Sequence, residues 1–107
     1  MGADAGRPIE FSLAVPPEHQ SGVYANFLTT WHTAYEFTLD FAVTQPPEVP
    51  DEPEAAIRIS CCVVARVKLP VTLLFDVIRG LNEEMTLYER EFGEIRPPGS
   101  ADELDEP

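Results

Sequence analysis

Basic residues are scarce in this chain. Seven Lys and Arg stand against 19 Asp and Glu, giving a formal net charge of −12 at pH 7. Binding along a phosphate backbone needs a stripe of cations that displaces counterions, so this balance argues against nucleic acid as a partner. Long apolar runs are also missing. No window approaches the ~20 consecutive apolar residues of a membrane span, and the first residues carry no basic-then-apolar signal, so no membrane association and a cytoplasmic location are the expectation. Cysteine is limited to the adjacent pair Cys61 and Cys62. Neighbouring strand residues point to opposite faces, so the pair makes neither a disulfide framework nor a convenient pair of ligands for one ion. No Gly-rich phosphate loop, strained Ser or Cys elbow or general-acid pair is visible, and neither a cofactor nor a metal is expected.

What is present suits one small domain. The chain has 107 residues, room for a single core. Its ends, 1–7 and 96–107, are small, Pro-rich or acidic and are expected to be disordered. The remaining span, 8–95, is of a size at which oligomerisation commonly helps. A dimer or tetramer is expected. Eight of the acids fall in two segments, a Pro-rich loop at 45–55 and the C-terminal tail, where they solvate chain or steer toward a basic partner.

Four stretches read as strands. IEFSLAV, residues 9–15, alternates Ile9, Phe11, Leu13 and Val15 with Glu10, Ser12 and Ala14, and stops at Pro16-Pro17. YANFLTTWHT, residues 24–33, is mixed on both faces. YEFTLDFAVT, residues 35–44, alternates cleanly. IRISCCVVARVKL, residues 57–69, places Arg58, Arg66 and Lys68 on one face, where antiparallel pairing would set them against Glu36 and Asp40. A helix follows from Pro70, with Val71, Leu74, Ile78, Leu81, Met85, Tyr88 and Phe92 forming an apolar stripe and Gly93 a C-terminal stop. Gly80 inside it suggests close approach of another backbone. The expected fold is α+β: a four-stranded, mainly antiparallel sheet with one long C-terminal helix on its inner face.

Six aromatics fall between residues 24 and 41. Phe27, Trp31, Tyr35, Phe37 and Phe41 are assigned to the core. Tyr24, Leu28, Cys62 and Val64 are left on an outer face, as candidates for contact with a partner. Two histidines, His19 and His32, are the only bases a nucleophile could use, and His32 beside Trp31 is the candidate centre of a small enzyme site. The bland reading of His32 is a polar side chain at a strand end. Glu36 and Asp40, likewise, read either as an acid–base pair or as a charge ladder with the basic strand.

YANF at 24–27, EFTLDF at 36–41 before a proline loop, ARVKLP at 65–70 and LYEREFGEI at 87–95 together resemble a family of short bacterial and archaeal proteins known only as a domain of unknown function. The likeness covers residues 22–95 and departs at the helix start. The order of elements is similar to that of SecB, an export chaperone whose paired subunits expose grooves for unfolded chains, although this chain shows one C-terminal helix where a SecB-type subunit has two. That resemblance implies a non-enzymatic polypeptide-binding protein, a chaperone or adaptor. The alternatives are a dedicated structural subunit of one multiprotein complex and a small enzyme with a site near His32.

Overall fold

The computed structural model describes residues 6–98. The terminal segments expected to be disordered therefore lie largely outside the described residues. Three strands form one antiparallel sheet in the order β1-β2-β3: β1 is Phe27–His32, β2 is Glu36–Thr44 and β3 is Cys61–Pro70. A 3-10 turn at Val71–Leu73 leads into helix α1, Leu74–Phe92. The fold is α+β, with one C-terminal helix.

The sheet is built from two hairpins. Between β1 and β2 the chain reverses at Thr33: its N–H donates to the Glu36 carbonyl at 2.9 Å, and its hydroxyl accepts from the N–H groups of Tyr35 (3.2 Å) and Glu36 (3.3 Å). Such a side-chain-to-backbone turn fixes the register that follows. Trp31 sits opposite Thr38, Thr29 opposite Asp40 and Phe27 opposite Ala42. The second hairpin spans the proline-rich loop. Its arms are joined by Gln45 N–H to Ser60 O (2.8 Å) and by a reciprocal pair between Glu48 and Arg58 (2.8 and 3.1 Å). Prolines at 46, 47, 50 and 53 remove the donors a continuous ladder would need, so β3 begins at Cys61, four residues later than the alternation suggests.

A β-bulge decides which side chains share a face. Phe41 pairs with Ala65, but Ala42 pairs with Val63, leaving Val64 as the extra residue. On one side of the bulge, Arg66 and Lys68 share a face with Asp40 and Thr38. Beyond it the phase of β3 inverts, so Val63 and Cys61 join that polar face and Cys62 joins Val43 on the other. Both cysteines are free and exposed, so Cys61 is not the core residue its position in the alternation implies.

Two expectations need correction. Residues 9–15 do not form a fourth strand; they belong to no regular element, and none pairs with a described strand. An alternating segment becomes a strand only when another edge takes its backbone groups, and neither edge of this sheet does so. Nor does the helix pack on the sheet. None of its residues is buried, and the chain spans 72 × 33 × 32 Å with a radius of gyration of 20.4 Å. A compact chain of this length has a radius of about 13 Å.

Little core results. Ala42 is the one buried hydrophobic residue among those described, beside the polar Thr38 and Asp40. The accessible surface is 9909 Å², where a compact monomer of this mass exposes about 5,900 Å². The helix does end as expected, with Gly93 at φ 101° and its N–H bonded to the Glu89 carbonyl at 3.0 Å.

Candidate functional site: the two faces of the sheet

The polar face is closed by its own side chains. Arg66 makes a two-pronged contact with Asp40, Nε to Oδ1 at 2.6 Å and a terminal guanidinium nitrogen to Oδ2 at 2.9 Å. Lys68 donates to the Thr38 hydroxyl at 3.0 Å and lies 3.4 Å from Glu36. Trp31, arriving from β1 on the far side of β2, covers both cations: the Lys68 ammonium is 4.8 Å from its ring centroid and the Arg66 guanidinium 5.9 Å. Indole is the strongest aromatic partner for a cation, and a planar guanidinium is shaped for a carboxylate. Thr38 is wholly buried beneath this roof and Asp40 nearly so.

The Arg66 hydrogen bonds hold the Asp40 carboxyl below its ordinary range, outweighing the opposing effect of desolvation, with Trp31 and Lys68 adding to the depression. The same contact raises the Arg66 guanidinium. A carboxylate so engaged is a poor proton acceptor. Of the two readings of Glu36 and Asp40, the geometry matches the charge ladder. Phe27 and Trp31 lie on this polar face, because pairing with Ala42 and Thr38 sets their phase. They do not join Phe37 and Phe41, as their assignment to one core had implied.

The opposite face is apolar and open. Phe37, Leu39, Phe41 and Val43 of β2 form its centre, flanked by Leu28, Thr30 and His32 of β1 and by Cys62, Ala65, Val67 and Leu69 of β3. The four β2 residues are half-buried by their strand neighbours, whereas Leu28 and Val67 are largely exposed. His32 lies 5.5 Å from the Phe37 ring, centroid to centroid, on this open face. Of the four residues singled out as partner contacts, the structure brings two together: Leu28 pairs with Phe41, and Cys62 with Val43. Tyr24 precedes β1 and is exposed, and Val64 is the bulged residue.

One residue that sequence reasoning passed over is Asn26. Its Oδ1 accepts from the Thr44 N–H at 3.0 Å, its Nδ2 donates to the Thr44 hydroxyl at 3.3 Å, and its own N–H reaches the Ala42 carbonyl at 2.9 Å. It pins the start of β1 to the end of β2. The YAN string flagged its place but not its work.

A family profile described as "Protein of unknown function (DUF3467)" matches residues 3–97. The chain belongs to the DUF3467 family. The YANF, EFTLDF, ARVKLP and LYEREFGEI strings that suggested a family of unknown function all fall inside the matched span. In DUF3467 terms, the Asn26 clamp, the Asp40–Arg66 pair and the helix end at Gly93 are what these strings build in this chain. No curated protein and no solved structure matches the chain. The likeness to SecB rested on four strands before the helix, and this chain pairs three. Among the described residues, no cluster of three or more His, Cys, Asp or Glu is placed to hold a metal, and no helix is long and apolar enough to cross a membrane.

Proposed function

We propose that this DUF3467 chain is a non-enzymatic polypeptide-binding protein, a SecB-like chaperone or adaptor of the cytoplasm that works as a dimer or tetramer. One observation carries the reading: a sheet face and a whole helix stripe are apolar and uncovered in the same chain. Exposed apolar surface on this scale marks contact with other polypeptides. Copies of the chain cover part of it, and the rest takes a client. Leu28 and Cys62, at one end of the apolar face, are its contact residues, with Tyr24 and Val64 beside them at the strand entry and the bulge. The acid-rich composition keeps a loaded complex soluble.

Suppression of aggregation of a chemically unfolded model client tests this. Wild-type protein is expected to suppress it, and Leu28→Asp to lose that effect while keeping the circular dichroism of the fold. A wild-type protein that leaves client aggregation untouched would overturn the chaperone reading. In that case the same surface belongs to a dedicated structural subunit, and a stoichiometric co-purifying protein is the expected finding.

A further inference from the structure

The residues that alternate like a strand without being one are Ile9 to Val15. Ile9, Phe11 and Leu13 are 80%, 95% and 94% exposed, and no backbone group from 9 to 14 bonds to another described backbone group. Three large apolar side chains at alternate positions of one seven-residue segment, all exposed, mark a contact surface. We infer that this segment adds as a fourth antiparallel strand to the outer edge of β3 in a second copy of the chain, rebuilding by exchange the four-stranded sheet that one chain does not form. The inference rests on the oligomeric part of the proposed function and names its contact.

The sheet has two free edges, and charge selects between them. Beside β3, the register that faces Phe11 with Val67 also faces Ile9 with Leu69 and Leu13 with Ala65. All three pairs then extend the apolar face. The intervening residues fall on the polar face, where Glu10 meets Lys68 and Ser12 meets Arg66. Both cations keep about half of their side-chain surface exposed despite their present partners, so each can take a further acceptor. The pairing runs to Ala65 and stops where Val64 bulges. Beside β1, the same segment would set Glu10 among Phe27, Thr29 and Trp31, with no cation of that strand to meet it.

The donor of the segment is a second copy, because in its own chain the segment pairs with no strand and the turn that follows it leads to the far edge of the sheet. Residues 16–22 are tied by His19 N–H to Pro16 O (2.9 Å) and Gly22 N–H to His19 O (3.1 Å). They lead into β1, at the opposite edge of the sheet from β3. Reciprocal exchange between two chains closes a two-fold dimer.

The test uses full-length chains carrying Cys61→Ser and Cys62→Ser. One bears Leu13→Cys, a second Ala65→Cys and a third both. A short bifunctional thiol reagent is added to a mixture of the first two, and to the third alone. A covalent dimer joining the two single-cysteine chains is expected. A double variant that consumes its thiols without dimerising, alongside no dimer in the mixture, would overturn exchange in favour of folding back within one chain. Absence of cross-linking in both would overturn pairing with β3 altogether. Light scattering on the same samples separates the two levels: an intact oligomer without cross-link sinks only the strand exchange, whereas a monomer at every concentration sinks the oligomeric reading with it. Independently, Phe11→Asp is expected to weaken dimerisation on the order of 100-fold, from two buried Phe side chains per dimer. An unchanged dimer would count against the inference.

Discussion

Replacing Asn26 with alanine tests how the sheet is held in register. The side chain makes two bonds to Thr44, to its N–H at 3.0 Å and its hydroxyl at 3.3 Å. Both are exposed, so the Thr44 groups freed by the substitution turn to water and no penalty for a buried orphan applies. Each bond is then worth the low end of the usual range, about 0.5 kcal/mol, and Asn26→Ala is expected to cost about 1 kcal/mol. In a domain of this size that corresponds to a fall in Tm of roughly 4–8 °C. Thr44→Val removes only the hydroxyl bond and is expected to cost about half as much, since valine suits a strand. The double variant should lose less than the two single costs combined, because both remove the hydroxyl bond. Urea titrations at one fixed protein concentration measure all three, as association would otherwise shift the midpoint. Strict additivity, or an Asn26→Ala variant as stable as wild type, would refute the clamp.

Other consequences follow from the polar face and the helix. The folded-state Asp40 carboxyl lies below its ordinary value of 3.8, so its contribution to stability is full above that value and is lost as pH falls through the folded one. The Tm gap between wild type and Asp40→Asn should therefore hold steady from pH 8 to about pH 5 and narrow below pH 4; a gap unchanged down to pH 2 would mean the ion pair is not its source. At Gly80 an added Cβ meets nothing within 4 Å. Gly80→Ala should then stabilise the helix by about 0.5–1 kcal/mol, and a loss of stability in its place, growing with protein concentration, would reveal a partner backbone packed there.

The sequence made some of this architecture legible and hid the rest for identifiable reasons. Strand β2 was readable because Phe37, Leu39, Phe41 and Val43 alternate with Glu36, Thr38, Asp40, Ala42 and Thr44, all polar or small. The basic strand's opposition to Glu36 and Asp40 followed from the same alternation, and the Asp40–Arg66 pair bears it out. The bulge at Val64 was invisible, since Val63, Val64 and Ala65 are all apolar and leave no mark where the phase changes. That one residue put Cys61 and Cys62 on faces opposite those an unbroken alternation with Arg66 and Lys68 implies. Strand β1 was ambiguous because aromatic and aliphatic residues occur on both its faces; the turn at Thr33, not hydropathy, sets its phase. Tyr35, read as core, belongs to that turn and is exposed. The helix stripe was plain from spacing, but spacing says only that a face must be covered, not by which chain.

We propose that the chain completes its core on other chains. The direct measurement is the molar mass of the purified protein by size-exclusion chromatography with light scattering, across a wide range of concentrations, with thermal unfolding followed in parallel. A dimer or tetramer of the 11.9 kDa chain is expected, with a Tm that rises with concentration. A monomer at every concentration that still unfolds cooperatively would contradict it, and would mean that the helix folds back to bury its stripe on the chain's own sheet.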